Sequence, residues 1–416
     1  MIEVLVVVGP GLVADAGLLE EIAAREFAAA GVSGTLVRAR DAAHVLSLLS
    51  PSSPEGVGCA VVLPGRSAEV RSLIGRDLGA VVWVDVERAD GVTAAAGATH
   101  LHGRGIGGLA WGIRHAVHRV RHPSRRIAYG PLPEQWGELY LPGADELYLS
   151  DADGPPVVML IHGGYWRSIW AADIMGPLCA DLAGRGLAVW NLEYRRPDLH
   201  GWDATTADVA AGLAALATAH GSDALPSGAD GAAAPDLTRV AVVGHSAGAQ
   251  LALRAVADAV AGEAAAADGA QAAEEDARAA AGEAPAVDGV RVAVSLAGVL
   301  DLVEGDRRWV GTGAVGAALG GRAPEGQAAP PYGDASPLLR LPLRARQLVV
   351  QGAADDLDLV DFGRRYARAA ERAGDEVTYL EMPGDHFDVI NPATPIWQAT
   401  AQAITQALAA GPTSRG

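Results

Sequence analysis

One short stretch carries the strongest chemical signal in the chain: Gly244-His245-Ser246-Ala247-Gly248. A serine hydroxyl is a poor nucleophile at neutral pH, so it needs a base and an exposed, crowded position to act. Val240–Val243 precedes the stretch and is short and β-branched, as a buried strand should be. Gln250–Val256 follows it with a helical pattern. A serine between glycines, on a turn from strand to helix, has its hydroxyl exposed and a helix N-terminus behind it. The first N–H of that helix, on Ala247, is then a candidate donor to an oxyanion. His386 is the candidate base, and Asp355 the candidate acid that orients it. The Gly352-x-x-Asp355 spacing favours Asp355 over its neighbours Asp356 and Asp358. The second oxyanion donor is sought in His162-Gly163-Gly164-Tyr165-Trp166, at Gly164 or Tyr165.

Strands must hold these groups. Val157–Ile161 runs into the His162 loop, Gln347–Gln351 leads to Asp355, and Val377–Leu380 precedes Glu381-Met382-Pro383-Gly384-Asp385-His386. Each group thus follows a strand, and the chain order is Ser, Asp, His. This pattern implies attack by Ser246, an acyl-enzyme, and release by water with His386 as base, with no metal or organic cofactor required. His245 reads as packing beside the turn and His162 as a brace for the oxyanion loop. Tyr165, Trp166 and Trp170 stand near that loop, either as an aromatic wall that binds substrate or as packing residues.

From Tyr129 to about Leu408 the chain resembles the α/β-hydrolase superfamily. The residues that carry the likeness are His162-Gly163-Gly164-Tyr165-Trp166-Arg167, Glu193-Tyr194-Arg195-Arg196 and Gly244–Ala252. Within the superfamily they are most similar to kynurenine formamidases and related carboxylesterases. The resemblance implies a serine hydrolase acting on a small carboxylic ester or an aryl formamide, with a Ser246, Asp355, His386 triad.

The 416 residues suffice for two domains, and half of them are hydrophobic. The expected architecture is α/β throughout, a flavodoxin-like domain over 1–122 and a hydrolase domain over 123–416. A net charge of −18 argues against general affinity for nucleic acid or anionic membrane. No run of eighteen apolar residues occurs and Met1–Val8 enters a strand directly, which reads as a cytoplasmic protein. Cys59 and Cys179 fall in different domains and read as buried thiols.

The first segment alternates strands (Val4–Val8, Thr35–Val37, Cys59–Leu63, Ala80–Val86, Thr99–Leu101) with helices (Leu18–Ala30, Ala42–Leu49, from Ala68, Ile106–Val120). Such repetition implies a parallel sheet covered on both faces. Val8-Gly9-Pro10-Gly11, Leu63-Pro64-Gly65 and Asp85 make the segment similar to type II 3-dehydroquinate dehydratase. The departures fall on that family's chemistry: its tyrosine loop is absent between Leu12 and Leu18, its Asn is Leu63 and its catalytic His is Asp85. The resemblance implies the fold without the lyase activity, and a role in homo-oligomer assembly or in flanking the hydrolase site. His100 and His102 lack a third ligand for a metal. Arg114–Arg126 reads as a helix end and linker. Two Ala/Gly-rich stretches, 221–235 and 260–288, read as surface insertions, the second acidic. Asp301–Leu341 reads as a cap over the site.

Overall fold

The structure, a computed structural model, describes residues 2–50, 59–143, 154–219, 234–270, 289–325 and 329–409. The chain divides into two compact units, one of Met1–Pro123 with Ile169–Gly176, the other of Ser124–Ser168 with Pro177–Gly416.

The first unit is built on five parallel strands, β1 (Glu3–Val8), β2 (Ser33–Arg38), β3 (Cys59–Leu63), β4 (Val82–Asp85) and β5 (Thr99–His102). Their order, β2-β1-β3-β4-β5, is that of a doubly wound flavodoxin-like sheet. Side chains alternate across a strand, and β1 shows the result. Val4, Val6 and Val8 pack on one face with Leu19, Phe27, Leu109 and Ile113, from helices Ala16–Ala30 and Gly108–Arg121. Leu5 and Val7 pack on the other with Val45, Leu48 and Val70, from helices Ala42–Leu48 and Ala68–Arg71. Both faces are covered, so β1 and β3 are apolar almost without interruption. Asp15 starts the first helix by accepting from the Leu18 N–H at 2.8 Å. Gly31 ends it at a left-handed φ of 60°.

The second unit carries an eight-stranded sheet: β6 (Arg125–Ala128), β7 (Trp136–Tyr140), β8 (Pro156–Ile161), β9 (Ala188–Leu192), β10 (Asp236–His245), β11 (Val290–Leu296), β12 (Gln347–Gly352) and β13 (Val377–Met382). The order is β13-β12-β11-β10-β8-β9-β7-β6. Among the described residues only β7, with β6 and β9 beside it, pairs antiparallel; the other pairs are parallel. β8 lies at the centre and all six of its residues are buried. The α/β class and the parallel first sheet agree with the sequence-based expectation.

Several elements differ from that expectation. Residues Arg125 and Arg126, read as linker, form the edge strand β6, where Arg126 lies 3.7 Å over the Trp136 ring and donates to Glu138 at 3.2 Å. An edge strand is half solvated, so its polar residues hide it from a hydrophobicity search. After Trp166 the chain forms a 3₁₀ turn, Ala172–Met175, followed by helix Gly176–Ala183. The helix after Ser246 runs from Ala247 to Ala270, so the start of the second insertion continues it, as its alanines favour. The rest of that insertion and most of the first, 220–233, lie outside the described residues. Ile169–Gly176, read as hydrolase sequence, belongs to the first unit. There Arg104 grips Asp173 through two hydrogen bonds of 2.6 and 2.7 Å, both side chains 2 % exposed. Among the described residues no helix is long and apolar enough to cross a membrane.

At the carboxyl end of β4, Asp85 accepts from His100 Nε2 at 2.8 Å and from Arg71. Burial opposes its ionisation, but these two hydrogen bonds and charges outweigh burial and lower its pKa. A carboxyl whose folded pKa is depressed stabilises the fold above its unfolded value, about pH 4, and loses that contribution as pH falls through the lower folded value. Asp85→Asn should therefore lower the thermal midpoint at neutral pH, with the gap to wild type closing at acid pH. Thermal denaturation across pH checks this, and a gap independent of pH would contradict it.

Candidate active site

Ser246 sits directly after β10 with a positive φ of 55°, unfavourable for a residue with a side chain. The chain holds it there because nothing larger than glycine fits on either side. A Cβ on Gly244 would stand 2.1 Å from the Gly248 carbonyl oxygen, and one on Gly248 would stand 2.2 Å from the Ile161 carbonyl oxygen. The Ser246 N–H donates to Leu296 O at 2.8 Å, which ties the turn to β11. Ala247 opens the helix Ala247–Ala270, so its N–H lies in the first turn, where helical N–H groups lack intrahelical acceptors.

The loop after β8 packs directly on this turn. A Cβ on Gly163 would stand 2.6 Å from His245 O and 2.8 Å from Ser246 Cβ. Gly164, Tyr165 and Trp166 all have positive φ (118°, 52° and 56°). Three consecutive left-handed residues turn the backbone tightly, the kind of geometry that aims N–H groups at one point. His162 is fully buried and braced from behind. Its ring stacks on Tyr194 at 4.5 Å, its carbonyl accepts from the Tyr194 hydroxyl at 2.8 Å, and its Nε2 lies 3.4 Å from Glu193 Oε1. Glu193 is also paired with Arg196, while Arg195 binds Asp208 through two bonds of 2.8 and 2.7 Å. The Glu193-Tyr194-Arg195-Arg196 motif is thus scaffolding for the loop.

His386 follows β13, and its Nδ1 lies 2.9 Å from Asp355 Oδ2. Asp355 lies just beyond β12. Its Oδ2 also accepts from Gln351 Nε2 at 2.8 Å, and its Oδ1 from the Asp356 N–H at 2.6 Å. The three neighbouring aspartates are separated by their partners. Asp356 accepts from the Asp358 N–H at the start of helix Leu357–Ala373, and Asp358 pairs with Arg308 at 2.9 Å. Asp355 alone of the three meets His386. The two loops are stitched together by the Ala354 N–H, which donates to Gly384 O at 2.9 Å, and a Cβ on Gly352 would stand 2.5 Å from that same oxygen.

The aromatic residues separate. Trp166 is a core residue, 2 % exposed; its Nε1 donates to Gln250 Oε1 at 3.0 Å and its ring packs edge-on to Trp202. It has no face left to offer a substrate. Trp170 belongs to the first unit, where its ring meets Trp111 edge-on and Arg104 lies 4.7 Å over it. Tyr165 remains: its ring lies against Gly311, where a Cβ would stand 2.4 Å away. Burial and the nearby charges of Asp356 and Asp355 raise its pKa, so it stays a neutral phenol. Gly311 lies in Trp309–Gly313, part of the segment between β11 and β12 read as a cap. That segment forms helices Leu302–Arg307, Val310–Leu319 and Tyr332–Ala335. Phe387, 46 % exposed, puts its ring 5.5 Å from that of His386.

Two residues given no role from sequence prove to be supports. Gln250 joins Trp166 to the Ala335 carbonyl at 2.8 Å, and Gln351 holds Asp355. The available signal was a glutamine inside an otherwise apolar helix or strand, where a polar group must find partners. His100 bonds Asp85, and His102 accepts from the Ala89 N–H at 3.1 Å. No group of three metal-ligating side chains occurs among the described residues. Both cysteines are free and buried, and burial pushes the Cys59 thiol up to about 11.

Comparison with known proteins adds a family. A sequence model described as "Alpha/beta hydrolase family" matches residues 157–396. Curated protein sequences return no match. Among solved structures, esterase B from Lactobacillus rhamnosis is 17 % identical with a TM-score of 0.52, covering 71 % of this chain and 91 % of that one. A bifunctional GH43-CE protein of Bacteroides eggerthii is 18 % identical with a TM-score of 0.50, covering 68 % of this chain and 35 % of that one. A bacterial heroin esterase is 21 % identical with a TM-score of 0.48, covering 69 % and 83 %. At these identities the likeness is one of fold.

The turn itself is open to test. Gly248→Ala drives a methyl into the carbonyls of Ile161 and His162, which are backbone and cannot rotate away. Overpacking of this kind costs roughly 1–3 kcal/mol, so a lower thermal midpoint and a displaced Ser246 are expected. A variant that melts as wild type would show that the crossing has slack.

Proposed function

We propose that this chain, which belongs to the alpha/beta hydrolase family, is a serine hydrolase that cleaves a small carboxylic ester or an aryl formamide. The observation that carries the reading is the 2.9 Å contact between His386 and Asp355 at the ends of adjacent strands, in the same unit as a serine held at positive φ. Ser246 Oγ attacks the acyl carbon while His386 Nε2 takes its proton. Asp355 accepts the Nδ1–H bond, fixes the tautomer and stabilises the imidazolium that forms. The oxyanion is met by the N–H of Ala247 and of Gly164 or Tyr165. Collapse of the tetrahedral intermediate expels the alcohol or amine with the proton from His386. Water, deprotonated by His386 in turn, then cleaves acyl-Ser246.

The motif His162-Gly163-Gly164-Tyr165-Trp166 resembles that of kynurenine formamidases, yet its tryptophan is spent on the core. The motif therefore supports the oxyanion-loop architecture more than it supports an aryl substrate. Tyr165 and Phe387 are the aromatic side chains we assign to substrate contact. A turnover panel of short p-nitrophenyl esters against N-formyl-kynurenine separates the two substrate classes.

For the first unit we propose a non-catalytic role, in assembly of like chains. Its two loops at the β1/β3 switch point, where doubly wound sheets bind ligands, are packed into each other. A Cβ on Gly9 would stand 2.5 Å from Pro64 O, and one on Gly65 2.7 Å from Pro10 O. Asp85 is occupied by His100 and Arg71. That leaves little to act as base or acid on a dehydroquinate-like substrate.

Ser246→Ala should abolish ester turnover, by about 10⁴-fold or more, and a fluorophosphonate should label wild type at Ser246. Residual turnover near wild type, or labelling elsewhere, refutes the assignment. Asp355→Asn should cost about 10⁴-fold in kcat through loss of the correct tautomer. Asp356→Asn keeps a good helix cap and should leave kcat nearly unchanged. Equal losses at the two positions would reverse their roles.

A further inference from the structure

His245 is the last residue of β10 and immediately precedes the candidate nucleophile. It is 1 % exposed. Its Nε2 lies 3.0 Å from the backbone carbonyl oxygen of His386, 141 residues further along the chain. A carbonyl only accepts, so the proton sits on Nε2 and the imidazole donates. Its Nδ1 is then a lone-pair acceptor, and it is buried with no hydrogen-bond partner among the described residues. Gly163 covers that edge of the ring, since a Cβ there would stand 3.2 Å from Nδ1. The His245 and His386 rings are 4.8 Å apart, tilted by 47°.

Packing alone does not account for this residue. A leucine or phenylalanine would fill the space without burying a lone pair that finds no donor. What only the imidazole supplies here is the Nε2–H bond to the His386 backbone. Burial, with the neighbouring His386 in second place, pushes its pKa down to about 3, so the ring is neutral and the bond persists across the working pH range.

The candidate base is held at two points. Asp355, from the end of β12, holds its imidazole through Nδ1. His245, from the end of β10, holds its backbone. The first anchor sets tautomer and tilt. The second sets distance, because the donor belongs to the residue joined by one peptide bond to Ser246. We propose that His245 is a positioning residue that fixes the separation between the Ser246 hydroxyl and the His386 imidazole. The inference rests on reading Ser246, Asp355 and His386 as the hydrolytic triad. It adds a role for a fourth side chain, which touches neither substrate nor the transferred proton.

The test compares His245→Leu, which fills the site and cannot donate, with His245→Gln, whose amide can still donate to the carbonyl. Displacing a base by about an ångström can cost up to roughly 100-fold, so His245→Leu should lose about 10- to 100-fold in kcat toward a p-nitrophenyl ester. Its KM should stay within about twofold of wild type, because binding contacts are untouched. Fluorophosphonate labelling of Ser246 should slow in parallel with kcat, and His245→Gln should recover most of both rates. If the leucine variant does not fold, His245→Asn, whose amide falls short of the carbonyl, carries the same expectation. A leucine variant with wild-type kcat, or a glutamine variant as impaired as the leucine one, overturns the proposal while Ser246→Ala remains inactive. Should Ser246→Ala itself retain turnover, the triad reading fails and this proposal fails with it.

Discussion

The hydrolase unit depends on one steric fact: two backbones meet at the end of the central strands with no room for a side chain between them. Gly248 approaches the carbonyls of Ile161 and His162, Gly163 approaches that of His245, and Gly244 approaches Gly248. These contacts place the carboxyl ends of β8 and β10 so close that whatever follows each strand is locked to the other. Ser246 follows one and the Gly163–Trp166 loop the other. The strained φ at Ser246, Tyr165 and Trp166 persists because the surrounding packing leaves no relaxed alternative.

Around that crossing, buried polar groups act as struts. Tyr194 and Glu193 hold His162, Gln351 holds Asp355, Gln250 joins Trp166 to the segment between β11 and β12, and His245 reaches the His386 backbone. A polar side chain removed from water is costly unless it finds a partner, and once paired it admits few other arrangements. Hydrophobic packing fills the core without specifying angles to this degree. The polar residues therefore collect where angles matter, at strand ends and loop bases.

This division of labour explains what the sequence could disclose. Strands such as Val157–Ile161 and Cys59–Leu63 are legible because burial on both faces leaves an unbroken apolar run. The turn at Ser246 is legible because glycines flank it between a strand and a helix. Asp355 is reached by spacing alone, since Asp356 and Asp358 are the same residue type; what distinguishes them is a set of partners distant in the chain. For the same reason Trp166 and Trp170 look alike in sequence, yet one bonds Gln250 and the other packs with Trp111. β6 escapes notice because four largely exposed edge residues that open with Arg125-Arg126 have no apolar signature. Local pattern reports what an element buries, and carries no record of which remote group it meets.

The allotment of Ile169–Gly176 to the first unit gives the chain an unusual plumbing. The backbone leaves the first unit after Pro123, returns to it for eight residues after Ser168, and leaves again at Pro177. A gene fusion that simply strung two modules end to end would cross between them once. Here a recombination breakpoint at residue 123 would carry off Arg104, a cation with 2 % exposure, and leave behind the Asp173 carboxylate that neutralises it. The modules are therefore not interchangeable beads. An exchange of either one between chains would keep that ion pair only if the short returning strap travelled with its own sheet.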